Sequence, residues 1–245
     1  DAGISAGIVA AGFSVSPEQA VQVASIAPLH SRALKSKKMT LPPADLVAHV
    51  AAHLRESLFP GAHLVLGLSG GMDSVSLLHI LIELSLPLRF SLRAVHIDHG
   101  ISTNAADWAR FCQRLCAQLG TPLAVEHVDL SAFRHLGPEA AARAARWSAL
   151  RRHQADFLLL AQHRDDQAET LLLQLLRGAG PAGLSGMAAS VFFCDALHGQ
   201  ARVLRPMLDL SRAEVEAFVR SRGYQWVEDE SNSNVALDRN FLRHQ

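Results

Sequence analysis

The chain has 245 residues, of which 49% are hydrophobic and 19% charged, a composition typical of a folded protein and not of a disordered one. Its 23 basic residues balance its 23 acidic residues, which excludes a basic protein that coats nucleic acid and an acidic tail protein. Three cysteines are too few for a disulfide framework, and no apolar run reaches the ~18 residues of a membrane span, so a cytoplasmic, membrane-free protein is predicted.

The first part of the chain differs from the rest. All three lysines, at positions 35, 37 and 38, precede the first methionine, Met39, and every later Lys or Arg is an arginine. The segment is small and apolar at first and then rich in Ser, Gln and Ala, without the usual order of a signal peptide. We therefore expect residues 1–38 to be a leader or an added extension.

Short apolar runs alternate with helical patterns from His63 onward. Strands are predicted at 63–68, 93–98, 122–128 and 156–162, and helices at 73–84, 104–119, 138–152 and 165–176. A helix ending near residue 54 precedes them, and a weak strand at 202–204 and a helix that begins at a Ser211–Glu214 capping box follow. The alternation predicts an α/β fold with a Rossmann-like parallel sheet and helices on both faces.

The strongest motif lies between the first strand and its helix, and it reads Ser69-Gly70-Gly71-Met72-Asp73-Ser74. Such a turn presents backbone N–H groups at a helix N-terminus, where an anion is favoured, and Gly70 and Gly71 leave room for phosphate. A Walker loop needs a lysine and a dinucleotide fingerprint needs three spaced glycines, and neither is present. Asp73 would repel phosphate unless Mg²⁺ bridges them. The alternative is a plain strand–helix turn in which Asp73 is an N-cap.

Further polar residues follow other predicted strands. His163, Asp165, Asp166 and Glu169 lie at a strand end and on the next helix turn, where open α/β sheets bind ligands. The acidic residues could also be only a first helix turn that complements the dipole. His96 and His99 lie at the end of the second strand without further metal-ligand partners, so a substrate-lining or capping role is predicted for them.

The motif at 69–74 resembles the PP-loop of the N-type ATP pyrophosphatases, which split ATP between its α and β phosphates. Segments at 96–100, 161–170 and 177–184 narrow the resemblance to the tRNA(Ile)-lysidine synthetase family. Other matching segments are 139–143, Arg146-Trp147 (where the family more often has Tyr after Arg), Arg205-Pro206 and the polar stretch 229–243. The resemblance covers nearly all of the chain after the leader.

This resemblance implies an adenine-nucleotide alpha-hydrolase-like fold and a two-step reaction that uses ATP and Mg²⁺. The family adenylates the carbonyl oxygen at carbon 2 of the wobble cytidine in a tRNA(Ile) with a CAU anticodon, releasing pyrophosphate. The ε-amine of free L-lysine then attacks that carbon and expels AMP, which leaves lysidine. The expected partners are therefore tRNA(Ile) and L-lysine, and the oligomeric state stays open, with a homodimer as one option.

The resemblance also implies roles for individual residues. The expected catalytic residues are Asp73, which would hold the metal, Arg143, which would neutralise phosphate, His163, Asp166 and Glu169. The expected cofactor-binding residues are Ser69, Gly70, Gly71, Met72, Asp73, Ser74 and His96, and the expected substrate-binding residues are Asp165, Arg177, Gly178 and Arg205. Which carboxylate meets the lysine amine is left open.

The same resemblance suggests a domain organisation. We expect residues 39–215 to form the PP-loop ATP pyrophosphatase domain, and residues 216–245 to form its end and the start of a linker. Family members commonly continue into a C-terminal region that grips tRNA. A catalytic domain that binds ATP but has lost tRNA affinity is therefore expected.

Two other functions remain open at this point. The chain could be a PP-loop ATP pyrophosphatase with a different acceptor, or a nucleotide-binding module of similar architecture that binds ATP without turnover. tRNA-thiolating relatives of the PP-loop type use paired cysteines. Cys112 and Cys116 instead share one face of an amphipathic helix, which predicts core packing and disfavours thiolation.

Overall fold

The computed structural model describes residues 43–100, 102–180, 183–195 and 199–228. Within them the helices are α1 (Pro43–Arg55), α2 (Met72–Leu88), α3 (Ala105–Gln118), α4 (Pro138–Arg151), α5 (Arg164–Leu176) and α6 (Arg212–Ser221). The strands are β1 (His63–Gly67), β2 (Ser91–Asp98), β3 (Leu123–His127), β4 (Phe157–Leu159), β5 (Ser190–Asp195) and β6 (Gly199–Leu204). The predicted leader 1–38 and the family segment 229–243 lie outside the described residues.

The strands form one sheet in the order β3-β2-β1-β4-β6-β5. β1 pairs in parallel with β2 and β4, and β4 pairs in parallel with β6, so the predicted Rossmann-like parallel arrangement is confirmed for five strands. β5 was not predicted, and it pairs antiparallel with β6 at the edge, which makes the sheet mixed. Strand order reverses direction between β1 and β4, the position at which open α/β sheets bind ligands.

Alternating side chains of the central strands build two separate cores. Leu64 and Leu66 of β1 pack with α1, α2, α3 and α6 on one face of the sheet. Val65, which points the other way, packs with Leu150 of α4 on the opposite face. This period of two is what a strand covered on both faces requires, and it confirms the prediction of helices on both sides.

Helix α6 starts where the capping box was predicted. The Ser211 hydroxyl accepts a hydrogen bond from the backbone N–H of Glu214, and the Glu214 carboxylate accepts one from the backbone N–H of Ser211. Val215, Phe218 and the neighbouring apolar side chains then bury α6 against α1 and α2. No helix in the described part of the chain is long and apolar enough to cross a membrane.

Candidate active site

The turn after β1 is folded by its own serines. The Ser74 hydroxyl donates to the Gly71 carbonyl at 3.0 Å and accepts from the Ser69 backbone N–H at 3.2 Å. The two hydroxyls of Ser69 and Ser74 lie 3.0 Å apart, and the Gly71 N–H points to Ser69 Oγ at 3.3 Å. The loop therefore wraps around the first turn of α2, and the N-terminus of that helix is a position at which an anion is favoured.

The two glycines of this turn have different surroundings. Gly70 adopts a left-handed φ of +88°, and a Cβ there would lie 2.9 Å from Val227 Cγ2 and 3.1 Å from Cys112 Sγ. A Cβ on Gly71 would meet only Ser69 Oγ, at 3.4 Å. The Val227 N–H also donates to the Gly70 carbonyl at 3.0 Å. Packing against Val227 and Cys112 thus fixes Gly70, whereas the space next to the Gly71 Cα is open for a ligand.

Asp73 lies in the first turn of α2 with one oxygen that no protein group satisfies. Its Oδ1 atom is buried and has no hydrogen-bond partner among the described residues, and Oδ2 lies 3.6 Å from His163 Nε2. A buried carboxylate oxygen without a donor is costly unless a cation or another ligand satisfies it. Because Mg²⁺ prefers oxygen ligands and often binds one carboxylate together with phosphates, the donor set fits the predicted ion.

His163 begins α5 directly across from the phosphate loop. The ring atom Nδ1 accepts a hydrogen bond from the Asp166 backbone N–H at 3.4 Å. The backbone N–H of His163 in turn donates to Asp166 Oδ2 at 3.0 Å, so the two residues form a reciprocal capping box. Asp165 Oδ2 is also 3.8 Å from Nδ1. Because Nδ1 is an acceptor, the proton of the neutral ring lies on Nε2, on the side of Asp73. One buried imidazole thus connects the first turns of α2 and α5.

The carboxylates around His163 set its protonation. Burial alone would lower the pKa of His163, but its contact with Asp73 and the charges of Asp166, Asp73 and Asp165 outweigh burial, and the pKa is raised. Three carboxylates around a single imidazole leave the position net negative even when the ring is protonated. The site therefore attracts a cation, either a metal ion or an ammonium group.

His96 supports the phosphate loop from the end of β2. It is only 4% exposed, its Nδ1 lies 2.9 Å from the Leu68 carbonyl, and Cys112 Sγ lies 3.5 Å from the same nitrogen. Burial lowers the pKa of His96, against smaller opposing effects of the Leu68 carbonyl and Asp98. A neutral ring with Nδ1–H donated to the Leu68 carbonyl holds the residue before the loop and presents Nε2 as an acceptor. The expected binding of the cofactor by His96 stays a prediction.

Arginines from α4 reach the same edge of the sheet. Burial of His99 lowers its pKa, and the charge of Arg146 lowers it further. Burial of Arg205 likewise lowers the pKa of that residue, and the charge of Arg143 adds to the effect. Arg143 and Arg146 are exposed, whereas Arg205 is 7% exposed. The charges of two α4 arginines thus act on groups that directly follow β2 and β6.

Arg205 and Gln167 hold the glycine-rich segment that returns to the site. Arg205 donates from Nε to Gln162 Oε1 at 3.0 Å and from Nη1 to the Ala188 carbonyl at 2.8 Å. Gln167 clamps Met187 by accepting its N–H at 2.6 Å and donating to its carbonyl at 2.7 Å. The roles of Gln162 and Gln167 were missed from the sequence, although an amide directly after two aspartates at a helix start was a visible signal.

The remaining predicted residues are more scattered. Glu169 is buried on α5 next to the His163 turn. Asp165 Oδ2 accepts the Arg212 backbone N–H at 2.8 Å, so this carboxylate joins the starts of α5 and α6. Arg177 and Gly178 end α5, where Gly178 takes φ +74°. They follow His163 by roughly 20 Å along the 13 residues of the helix, and their expected role in substrate binding stays a prediction.

Comparison with known families decides the assignment, because residues 45–245 match the model of the PP-loop domain. The chain belongs to this family. It is 43% identical over 206 residues to the tRNA(Ile)-lysidine synthase of Nitrosomonas europaea, an alignment that covers 84% of this chain and 44% of that protein. It is 45% identical over 185 residues to that of Azoarcus sp., with 76% and 41% coverage. The chain thus spans less than half the length of these curated relatives.

Among solved structures, the fold is similar to that of the U34-tRNA thiolase NcsA from Methanococcus maripaludis, which was solved with its 4Fe-4S cluster. The TM-score is 0.61 at 18% identity, over 76% of this chain and 65% of that one. At this identity the likeness shows the fold alone. The resemblance to PP-loop proteins and to tRNA(Ile)-lysidine synthetases that the motifs indicated is confirmed by the sequence matches.

Proposed function

We propose that this chain carries the catalytic domain of a tRNA(Ile)-lysidine synthase, which uses ATP to join L-lysine to carbon 2 of the wobble cytidine. One observation carries the proposal. The phosphate loop follows β1 and the acidic turn around His163 follows β4, the two neighbouring strands between which the strand order changes direction. Asp73 Oδ2 of the loop lies 3.6 Å from His163 Nε2. Identity of 43% to a lysidine synthase over 206 residues supports this choice of acceptor within the family.

The first step is adenylation of the tRNA. The ATP phosphates bind at the N-terminus of α2, where the hydroxyls of Ser69 and Ser74 can donate to them, and the open side of Gly71 lets them approach the main chain. The carbonyl oxygen at carbon 2 of the cytidine attacks the α-phosphorus, and the bond from that phosphorus to pyrophosphate breaks. Negative charge grows on the phosphoryl oxygens, so donors and cations fixed beforehand lower the barrier.

Asp73 is the residue that would hold Mg²⁺ in this scheme. Its buried Oδ1 lacks a partner among the described residues, and Oδ2 faces His163. When bound, the ion supplies charge neutralisation of the phosphates. Arg143 at the edge of the site supplies a second positive charge, and a guanidinium can donate two parallel hydrogen bonds to a phosphate.

The second step is attack by lysine. The ε-amine forms a bond to carbon 2 and the bond from that carbon to the AMP oxygen breaks. The ammonium must lose a proton before its nitrogen becomes a nucleophile. Asp166, which is 14% exposed and lies 3.5 Å from His163 Nδ1, and the buried Glu169 provide carboxylates that attract the ammonium. We assign to this acidic turn the binding of lysine and to Asp166 the receipt of its proton.

Pyrophosphate release from ATP tests the proposal. We expect sustained release, beyond the first pyrophosphate per enzyme, to require both tRNA(Ile) with a CAU anticodon and L-lysine, assayed with tRNA in large excess. The first release needs only the tRNA, because adenylation precedes the attack of lysine. Asp73→Asn, which keeps the shape of the side chain, should abolish release and leave the unfolding midpoint near that of the wild type. The matched control is Asp107→Asn, an exposed acid in the first turn of α3, which should keep full activity.

Three outcomes would contradict this assignment in different ways. Sustained pyrophosphate release with tRNA but without lysine would indicate another acceptor. Tight ATP binding without turnover, measured by calorimetry, would indicate a nucleotide-binding module. Full activity of the Asp73→Asn variant would remove this carboxylate from the mechanism, and the phosphate-binding role of the loop would then be tested with Gly71→Ala.

A further inference from the structure

Two histidines of α1 and one aspartate of the segment before α6 converge outside the site described above. His49 Nε2 lies 2.9 Å from Asp209 Oδ1, and His53 Nε2 lies 3.6 Å from the same oxygen. His49 and His53 are one helical turn apart, so both rings lie on the same side of α1. One potential ligand atom from each of the three residues lies within 4.8 Å of the other two.

We propose that His49, His53 and Asp209 form a Zn²⁺ site that completes its coordination with water. Two imidazoles and one carboxylate are a ligand set that zinc accepts in four-coordinate sites with one open position. Zn–N and Zn–O bonds of about 2.0–2.2 Å place two ligand atoms roughly 3.3 Å apart on a tetrahedral ion. The observed separations lie on both sides of this value, and rotation of the partly exposed side chains closes the difference.

The three groups satisfy one another poorly without an ion. Two ring nitrogens face the same carboxylate oxygen, but only His49 is at hydrogen-bond distance, whereas 3.6 Å is too long for His53. The rings lie with their centroids 4.8 Å apart and tilted by 59°. A cation between them takes one lone pair from each ring and one from the carboxylate. The proton that His49 shares with Asp209 leaves when the ion binds.

The Asp209 carboxylate is open to solvent beside both imidazole rings. Its side chain is 58% exposed, against 23% for His49 and 37% for His53. The site is therefore open to an ion from solvent and needs no entry path through the core.

An ion here would tie two elements together. α1 is held on α6 by apolar contacts, whereas Asp209 belongs to the short connection from β6 to α6. That connection also accepts a hydrogen bond from the Arg164 N–H through the Leu210 carbonyl, at 2.7 Å. A zinc ion that binds the folded chain and not the unfolded one therefore raises its stability by mass action.

The test is titration of the chelator-treated chain with Zn²⁺ at neutral pH, followed by calorimetry. We expect tight binding by the wild type that weakens more than about 100-fold in His49→Ala and in Asp209→Asn, since loss of an outer-shell partner alone costs 10–100-fold. The matched control is His135→Ala, an exposed histidine outside the group, which should bind like the wild type. Saturating Zn²⁺ should raise the melting temperature of the wild type and of His135→Ala only, and Mg²⁺ should not.

Two results would overturn the site. The first is the absence of Zn²⁺ binding by the wild type, and the second is equal binding by the wild type, His49→Ala and Asp209→Asn, which would place the ion on other residues. If the α1 variant does not fold, the wild type itself gives the answer. Zn²⁺ should protect His49 and His53, but not His135, from acylation by diethylpyrocarbonate, read by mass spectrometry, and equal modification of all three would refute the proposal. None of these measurements depends on lysidine formation.

Discussion

The two adjacent glycines of the phosphate loop allow stability and ligand binding to be separated. Gly70→Ala places a methyl group at φ +88°, which costs an L-residue about 1–2 kcal/mol. The same methyl would lie 2.9 Å from Val227 Cγ2 and 3.1 Å from Cys112 Sγ, an overpacking that costs about 1–3 kcal/mol. We therefore expect Gly70→Ala to lower the free energy of unfolding by about 2–5 kcal/mol.

Gly71→Ala provides the matched comparison at the next residue. Gly71 has an ordinary φ of −72°, and its added Cβ would meet only Ser69 Oγ, at 3.4 Å. We expect a change in unfolding free energy below about 1 kcal/mol. The new methyl group would, however, lie on the side from which phosphate approaches, so ATP binding should weaken strongly in a chain that remains folded.

Urea unfolding and ATP calorimetry on both variants measure these two quantities. The expected pattern is a large stability loss for Gly70→Ala and a loss of ATP affinity without a stability loss for Gly71→Ala. Equal stability of the two variants would refute the packing argument for Gly70. Unchanged ATP affinity in Gly71→Ala would refute the view that phosphate approaches the main chain from this side.

Three further predictions concern the surroundings of the site. Burial raises the pKa of Cys112 to about 12 and that of Cys116 to about 11. Both thiols should therefore resist iodoacetamide at pH 8 in the native chain and react in urea, and peptide mass mapping measures this difference. Gln167→Leu removes both hydrogen bonds to Met187 and should cost about 1–3 kcal/mol of stability, with faster amide exchange at Met187. Ser211→Ala removes the α6 cap and should cost about 1 kcal/mol in urea unfolding; a change below about 0.3 kcal/mol would contradict the capping role.

The parts of the fold that depend on local pattern were predictable. The alternation of apolar runs with helical spacing gave the parallel strands β1 to β4, and the Ser211–Glu214 capping box predicted the start of α6 correctly. Strand β5 was missed because its side chains do not follow the alternation of a half-buried strand. Val191 and Phe192, neighbours on β5, are 42% and 79% exposed. Its existence depends on pairing with β6, which sequence periodicity does not reveal.

The chemistry of the candidate site was predictable by residue type, and its arrangement was not. Motif spacing placed Asp73 and His163 at the carboxyl ends of two strands, and the structure brings them to 3.6 Å. The contact of Val227 with Gly70 and the bond from Arg212 to Asp165 join positions far apart in the chain. Such contacts follow from tertiary packing. No local signal therefore predicts which carboxylate oxygens accept hydrogen bonds from helix N-termini and which remain able to bind a ligand.

Arginine is suited to the proposed reaction for a reason beyond its charge. Arg143 and Arg205 lie close enough for their charges to interact at the edge where phosphate would bind. A guanidinium keeps its proton at neutral pH, so it neutralises phosphate without offering a nucleophilic lone pair. A lysine at the same place could lose its proton when buried and attack the activated cytidine itself. All three lysines of this sequence lie at positions 35–38, outside the described residues, and every Lys or Arg of the described ranges is an arginine. In the proposed reaction, charge stabilisation by arginine is thus separated from the nucleophilicity of the substrate amine.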